Sequence, residues 1–312
     1  MRRLLAGAGV VAMVIAGLAA CASSEPERTA PDRCSTGRPL DVGTTTRTIV
    51  AGGVTRTYVQ HVPPGYDPTA RTPLVMLFHG LGGDPRAIVR TTGMAQAADE
   101  RTAILVAPLG SGKVSHWDFR SPMTEPTSDL AFVRTLVKEL RRDGCIDSSR
   151  TYAAGFSNGS ALTLALACDG STDFAAYAAV SGPYFTPDCA SAPPASIVYF
   201  HGMKDRTVPY EGATTVVGRL PAVNDTMSRW ASHDGCPASG ATTTASDDLR
   251  HYSWTSCRDG TAVDIYAIVD GVHGWPGGGP MSPGQTSRTE DSPVDATRLI
   301  WEFFDRHPAG GQ

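Results

Sequence analysis

Short apolar runs alternate with amphipathic segments along most of the chain. Residues 46–50 and 56–62 alternate apolar and polar positions on either side of an Ala-Gly-Gly sequence, which predicts an antiparallel hairpin. Continuous apolar runs typical of buried parallel strands follow at 73–80, 103–110, 151–156, 176–182, 196–202 and 263–270. Helical patterns lie between them, at 85–101, 129–142, 158–167, 222–233 and 295–306. The alternation predicts an α/β fold with a mostly parallel, doubly wound sheet, helices on both faces and an N-terminal antiparallel hairpin.

Residues 1–21 have the pattern of an export signal. Arg2 and Arg3 precede an apolar run at 4–20, and the segment ends in Leu-Ala-Ala-Cys. This ending resembles a bacterial lipoprotein signal, so we predict that Cys21 is lipidated after export; simple cleavage and a retained membrane anchor are the alternatives. Residues 22–33 are polar and predict a flexible tether, followed by one folded domain at 34–312. We expect the protein to be extracellular or in the cell envelope after export, anchored to the membrane only through the lipid on Cys21.

The cysteine count also indicates an oxidising compartment. Six cysteines remain besides Cys21, and an even number in an exported protein predicts disulfide bonds. Six cysteines allow many pairings; we predict Cys34–Cys145, Cys168–Cys189 and Cys236–Cys257. No Cys/His spacing typical of a metal site occurs in the sequence, and we expect no metal or organic cofactor.

The charge of the chain argues against nucleic-acid binding. The net charge is −4 and no dense Lys/Arg run occurs.

The topology of the predicted sheet indicates where a functional site would lie. In parallel sheets of this kind, the binding crevice lies at the carboxyl ends of the strands. The segments that follow the apolar runs contain HGLGG, GSGKVSHWDF, SNG, SGPYF, HGMKDRTVPY and GVHGWPGGG, where the unusual residues of the chain gather.

The sequence GFSNG, residues 155–159, places Ser157 between two glycines and between a strand pattern and a helix pattern. A G-x-S-x-G sequence in this context is typical of a nucleophile elbow, a sharp turn that exposes the serine hydroxyl above the sheet. Side chains at Gly155 and Gly159 would collide with neighbouring backbone at such a turn. We therefore predict that Ser157 is a nucleophile; the alternative is a surface turn capped by this serine.

A nucleophilic serine needs a histidine base and a carboxylate that orients it, and at an elbow of this kind the acid precedes the histidine along the chain. Asp205 and His273 stand at these places, each a few residues past an apolar run. Asp205 has an alternative interpretation as a turn residue paired with Lys204 or Arg206. The other candidates are less suitably placed. His233 lies on a helical pattern, His251 on a strand pattern and His307 in the tail after the last helix. His201 precedes the acid, and Asp270 is so close to His273 that it more plausibly shapes that loop.

An oxyanion hole would complete this chemistry. One donor is expected to be the backbone N–H of Asn158, directly after the nucleophile, and the other to come from the HGLGG loop. We predict Leu81 as the second donor, with Gly80 and Gly82 as alternatives, and a supporting role for His79. Three aromatic residues on the same edge, Trp275, Trp117 and Tyr184, are candidate substrate-binding residues, and loop packing is the alternative for them.

Taken together, HGLGG, GFSNGSALTLALAC, HGMKDRTVPY and GVHGWPGG resemble the secreted feruloyl esterase and polyhydroxybutyrate depolymerase-like family of α/β-hydrolases. The resemblance implies that Ser157, Asp205 and His273 are nucleophile, acid and base, and that Cys236 pairs with Cys257. It also implies activity on feruloyl or acetyl esters of polysaccharide, or on hydroxyalkanoate polyesters. Leu81 departs from the family, in which many members have cysteine or another residue.

The resemblance leaves several functions to weigh. A serine esterase that works through an acyl-enzyme on small-molecule or oligomeric esters is the main prediction. A serine peptidase on the same fold and a cell-envelope acyltransferase, in which an alcohol replaces water, are alternatives. A lipoprotein that keeps the fold only for binding is a further alternative, although it would need every catalytic role to be present by coincidence.

Overall fold

The computed structural model describes residues 38–120, 125, 128–170, 173–182, 189, 191–215, 218–238, 241–281, 289 and 291–310. The signal segment with Cys21, the tether at 22–33 and the start of the domain with Cys34 lie outside these residues, so these assignments stay predictions. In the part of the chain that is described, no helix is both long enough and apolar enough to cross a membrane.

The described residues form strands and helices in alternation after a first hairpin. The strands are β1 (Gly43–Ala51), β2 (Val54–Val62), β3 (Thr72–Phe78), β4 (Ile104–Pro108), β5 (Ile146–Phe156), β6 (Ala176–Val180), β7 (Ser196–Gly202), β8 (Ala213–Thr215), β9 (Gly218–Leu220), β10 (Ala241–Ala245), β11 (Leu249–Trp254) and β12 (Val263–Ile268). The helices are α1 (Pro85–Thr91), α2 (Met94–Glu100), α3 (Asp129–Asp143), α4 (Asn158–Cys168), α5 (Val223–His233) and α6 (Ala296–Arg306).

One sheet carries the domain, with strand order β1-β2-β4-β3-β5-β6-β7-β12-β11-β10. The central strands β4, β3, β5, β6, β7 and β12 are parallel to one another, and they are the six apolar runs of the sequence. The hairpin of β1 and β2 adds antiparallel at one edge, through β4. The predicted fold class, a mostly parallel doubly wound sheet with an N-terminal antiparallel hairpin, is therefore confirmed.

The central strands are apolar throughout because both faces of the sheet are covered. Along β3, Leu74, Met76 and Phe78 face α3, α4 and α5, whereas Val75 and Leu77 face α1, α2 and α6. All seven residues of β3 are buried. Alternate side chains of one strand thus enter two separate cores, which explains why these runs lack the polar alternation of β1.

Two features differ from the sequence prediction. The helical pattern at 85–101 is two helices, α1 and α2, because Gly93 takes a left-handed conformation (φ 70°) between them. The sheet also continues beyond β12 into an antiparallel pair. The strand pattern around His251 is β11, whereas no pattern in the sequence predicts β10.

Disulfide bonds fasten two of the connections. Cys168 at the end of α4 pairs with Cys189, and Cys236 after α5 pairs with Cys257 after β11, so two of the predicted pairings are confirmed. Cys145 is also disulfide-bonded, and its predicted partner Cys34 is outside the described residues. Disulfide bonds are typical of proteins that fold in oxidising compartments.

Candidate active site

Three loops at the carboxyl ends of parallel strands bring Ser157, Asp205 and His273 together. Ser157 follows β5 directly, Asp205 lies three residues past β7, and His273 follows β12. β7 is the neighbour of β12, and β6 separates it from β5. The carboxyl ends of parallel strands share one edge of the sheet, so residues far apart in sequence meet there.

Ser157 occupies a strained turn between β5 and α4. Its backbone has φ 53° and ψ −118°, a conformation that a residue with a side chain rarely adopts. The flanking glycines make the turn possible, because a Cβ on Gly155 would lie 2.2 Å from the carbonyl oxygen of Gly159. A Cβ on Gly159 would lie 2.3 Å from the carbonyl oxygen of Phe78. These approaches are the backbone collisions that the sequence predicts for this turn.

Replacing Gly159 by alanine should therefore lower stability and activity together. We expect Gly159→Ala to lower the free energy of unfolding by about 3 kcal/mol, because the Cβ forces α4 away from β3. Gly65→Ala is the matched control, since its Cβ would meet only the side chain of Thr102, at 3.3 Å. Urea denaturation of both variants makes the test, and a Gly159→Ala domain as stable as Gly65→Ala would contradict the close approach.

A chain of two hydrogen bonds joins the three side chains. The Nε2 atom of His273 lies 3.0 Å from Ser157 Oγ, and its Nδ1 lies 2.7 Å from Asp205 Oδ2. A carboxylate can only accept, so Nδ1 carries the proton and Nε2 presents its lone pair to the serine hydroxyl. The imidazole is thus in the tautomer and orientation that a base toward Ser157 requires.

Asp205 is buried, and its carboxylate is fully engaged. Oδ1 accepts the backbone N–H groups of Thr207 and Val208, each at 2.8 Å, and His201 Nε2 lies 3.4 Å from Oδ2. Burial alone would raise the pKa of Asp205, but hydrogen bonds from His201, His273 and Val208 and attraction to His273 outweigh it. The pKa is therefore lowered well below the usual range of an aspartate. With its pKa lowered in this way, Asp205 is expected to be ionised at neutral pH.

The rival candidates lie elsewhere or make other contacts. Lys204, the alternative partner of Asp205, pairs with Asp270 at 2.5 Å and so joins the loops after β7 and β12. His233 is 2.8 Å from Asp234 at the end of α5, and His251 stacks on Tyr266 in the sheet. Burial, followed by the charge of Arg306, lowers the pKa of His307 to about 4. The structure places these histidines away from Ser157.

His201 and His79 are two buried histidines beside this site. Besides its approach to Asp205, His201 Nε2 donates to the carbonyl of Val208 at 2.8 Å. His79 Nε2 accepts the backbone N–H of Gly110 at 2.9 Å, so Nδ1 is the protonated nitrogen and donates to the carbonyl of Gly80 at 2.7 Å. Burial is the main reason that the pKa of His79 is lowered. The supporting role predicted for His79 agrees with these contacts.

The loop after β3 narrows the choice of a second oxyanion donor. The N–H of Gly82 donates to the carbonyl of Ser115 at 2.7 Å, and that of Gly83 to the carbonyl of Gly80 at 2.9 Å. Gly82 is therefore wrong as an alternative donor, because its N–H is already committed, and Leu81 and Gly80 stay as predictions. Leu81 is exposed and lines the same cavity as Ser157. Asn158 is the first residue of α4, where backbone N–H groups lack intrahelical acceptors.

The predicted aromatic substrate contacts are wrong for both described tryptophans. Trp275 is completely buried, and its indole N–H donates to Thr297 Oγ1 at 2.9 Å, so it packs beneath the loop that carries His273. Trp117 is 1% exposed and donates its indole N–H to the carbonyl of His79 at 2.8 Å. Tyr184 lies outside the described residues.

A cavity of about 350 Å³ opens beside Ser157 and His273. Its wall contains the oxyanion loop, defined here as residues 79–83, and the apolar side chains of Ala87, Ile88, Phe156, Pro280 and Met281. Thr91, also in the wall, donates its hydroxyl to the carbonyl of Ala87 at 2.9 Å, and Met281 Sδ lies 3.4 Å from the same hydroxyl oxygen. The cavity is mostly apolar and places polar atoms beside the serine, as sites for small organic ligands do.

Comparison with known proteins identifies the family. The chain has the α/β-hydrolase fold: acetyl xylan esterase from Aspergillus awamori matches with a TM-score of 0.60 at 16% identity, over 84% of this chain and 99% of that one. The model of the esterase family described as "Putative esterase" matches residues 53–271, and the chain belongs to this family.

Two curated relatives agree with the family assignment. "Putative esterase NocK" of Nocardia uniformis subsp. tsuyamanensis is 30% identical over 334 residues, which cover 92% of this chain and 96% of that protein. Feruloyl esterase C of Emericella nidulans is 27% identical over 254 residues, 80% of this chain and 83% of that protein. The protein is a carboxylic ester hydrolase.

Proposed function

We propose that the protein hydrolyses carboxylic esters by a Ser157–His273–Asp205 triad, through an acyl-enzyme. The observation that carries this proposal is the hydrogen-bond chain from Ser157 Oγ through His273 to Asp205, with distances of 3.0 and 2.7 Å. A serine hydroxyl is a weak nucleophile until a neighbouring base removes its proton. The arrangement at the carboxyl edge of the sheet supplies that base in the required tautomer.

In the first half of the reaction, Ser157 Oγ attacks the ester carbonyl carbon while its proton passes to His273 Nε2. The ionised Asp205 stabilises the imidazolium that forms and holds its orientation. Collapse of the tetrahedral intermediate breaks the bond to the alcohol oxygen, which leaves with the proton from Nε2. The acyl group remains on Ser157 as an ester.

In the second half, water takes the place of the alcohol. His273 Nε2 accepts a proton from the water as its oxygen attacks the acyl carbon, and returns that proton to Ser157 Oγ when the acid leaves. In both halves the developing oxyanion accepts hydrogen bonds from the backbone N–H of Asn158 and, in this proposal, of Leu81. One such donor contributes about 2.7–4 kcal/mol to transition-state stabilisation.

The acyl group that we propose is an aryl acid such as ferulate, carried on a soluble or oligomeric polysaccharide fragment. The cavity of about 350 Å³ beside Ser157 is larger than an acetyl group requires. Its apolar wall, with Ile88 and Phe156, suits the flat face of an aromatic ring. The name of the Emericella nidulans relative, a feruloyl esterase, is consistent with this class.

A panel of methyl esters tests the acyl group, because all of its members release the same alcohol. We expect kcat/KM for methyl ferulate to exceed that for methyl acetate by at least about tenfold, since the aromatic ring buries apolar surface in the cavity. Methyl butyrate and methyl 3-hydroxybutyrate should fall below methyl ferulate. A preference for acetate or hydroxybutyrate would overturn the proposed acyl group, and turnover that persists in Ser157→Ala would overturn the triad.

A further inference from the structure

The two proposed oxyanion donors belong to different parts of the fold. Asn158 begins α4, whereas Leu81 lies in the oxyanion loop after β3. A misplacement of about 1 Å can cost an enzyme about a hundredfold in rate, and oxyanion donors act from about 2.7–3.1 Å. A structural element that fixes the separation of these donors would therefore contribute to the rate.

Both polar atoms of the Asn158 side-chain amide form hydrogen bonds with the main chain of Trp117. Asn158 Oδ1 accepts the backbone N–H of Trp117 at 2.6 Å, and Asn158 Nδ2 donates to the backbone carbonyl of Trp117 at 3.1 Å. This two-point contact restrains the first residue of α4, whose own backbone N–H is the proposed donor. The sequence predicts a role only for the backbone N–H of Asn158, and no pattern along the chain indicates these contacts of its side chain.

The indole of Trp117 extends the connection to the other donor. Its Nε1–H donates to the carbonyl of His79, two residues before Leu81, at 2.8 Å. The ring is 1% exposed and packs edge-on to Phe78, with centroids 5.5 Å apart. Trp117 thus contacts α4, which carries Asn158, through its peptide groups, and the oxyanion loop, which carries Leu81, through its indole.

Further contacts hold the Trp117 loop, defined here as residues 109–120, against the oxyanion loop. Gly110 N–H donates to His79 Nε2 at 2.9 Å, and Ser115 Oγ donates to the carbonyl of Gly83 at 2.6 Å. The Trp117 loop is itself fixed to α3, because Asp118 N–H donates to Asp129 Oδ2 at 2.7 Å. Asp129 also pairs with Arg56 of β2 at 2.7 Å, both side chains being buried. The loop between the donors is therefore well restrained.

We propose that Trp117 is a positioning residue that sets the separation of the two oxyanion donors, by bonding the Asn158 side chain through its main chain and the His79 carbonyl through its indole. The inference rests on the proposed triad and oxyanion hole. It assigns to Trp117 a role different from the substrate contact that the sequence predicts, and one that needs the residue to be buried.

Trp117→Phe tests the inference, since it keeps an aromatic ring in the site and removes the Nε1–H donor. We expect kcat on p-nitrophenyl butyrate to fall by about ten- to a hundredfold with KM unchanged within about twofold, because the lost interaction acts in the transition state. The Kd of a phenethyl trifluoromethyl ketone, which forms an oxyanion on Ser157, should rise by the same factor as kcat falls. Asn158→Ala should act in the same direction.

The double variant separates a shared connection from two independent defects. If both residues act through one link, Trp117→Phe combined with Asn158→Ala should lose about as much as the more damaging single change. Additive losses would contradict the link. Trp301→Phe is the matched control, because Trp301 is also 1% exposed and its Nε1 makes no hydrogen bond within the described residues. It should keep wild-type kcat.

The remaining outcomes distinguish this inference from the proposed function. Trp117→Phe with wild-type kcat and ketone affinity, beside an inactive Ser157→Ala, would overturn the positioning role and leave the triad standing. An equal loss in Trp301→Phe, or a raised KM with unchanged kcat, would also overturn it. If Trp117→Phe fails to fold, Asn158→Ala carries the same kcat and ketone measurements. An active Ser157→Ala would instead refute the proposed function itself.

Discussion

Ser157→Ala should lower kcat on p-nitrophenyl butyrate by at least about 10⁴-fold and leave the fold intact. The loss is expected because the hydroxyl that lies 3.0 Å from His273 Nε2 is the atom that would carry the acyl group. The substitution removes only the hydroxyl, since alanine keeps the Cβ and the backbone of the strained turn. Thermal unfolding should therefore occur within a few degrees of the wild-type midpoint. Activity is measured from initial rates of ester hydrolysis.

Ser160→Ala is the control for this variant. Ser160 lies one turn further along α4, is fully buried, and its hydroxyl has no hydrogen-bond partner among the described residues. We expect this variant to keep wild-type kcat. A Ser157→Ala protein that retains more than about 1% of kcat would contradict the nucleophile, because triad enzymes lose far more than this on removal of the serine.

Asp205→Asn should lower kcat at neutral pH by about 10⁴-fold, with a much smaller effect on KM. An asparagine that donates its amide toward His273 Nδ1 favours the tautomer with the proton on Nε2, and that nitrogen can then no longer accept from Ser157. The negative charge that stabilises the imidazolium is lost as well. Because Asp205 is buried and accepts two backbone N–H groups, the change also removes a charge that the structure is built to hold.

Asp270→Asn separates the acid from its neighbour in space. Asp270 lies three residues before His273 and pairs with Lys204, and its side chain is exposed. An exposed ion pair contributes at most about 1 kcal/mol, so this variant should keep kcat within a few-fold of wild type. Equal losses in the two variants would mean that loop geometry, and not the Asp205 carboxylate, supports His273.

Much of the fold could be predicted because its signals are local. Buried parallel strands produce continuous apolar runs, and each of the six runs is a central strand in the sheet. The glycines around Ser157, the order of acid and base along the chain and the strand ends together predict Ser157, Asp205 and His273. This worked because the carboxyl edge of a parallel sheet brings the ends of separate runs together.

The sequence predicted less where the outcome depends on tertiary contacts. Gly93 divides a continuous helical pattern because its left-handed φ turns the chain, and an isolated glycine in a helix pattern does not reveal this. Trp117 and Trp275 follow strands on the catalytic edge as predicted, but the depth of a side chain depends on the loops above it. Both indoles find buried oxygen acceptors, which no pattern along the chain indicates.

Covalent labelling with a fluorophosphonate tests the central claim most directly, because the reagent reacts with a serine only when a neighbouring base activates it. The protein should gain the mass of one adduct, the modified peptide should contain Ser157, and Ser157→Ala and heat-denatured protein should stay unlabelled. Loss of esterase activity should parallel the gain in mass. Full activity without an adduct on Ser157, or an adduct on another serine that tracks the loss of activity, would contradict the triad.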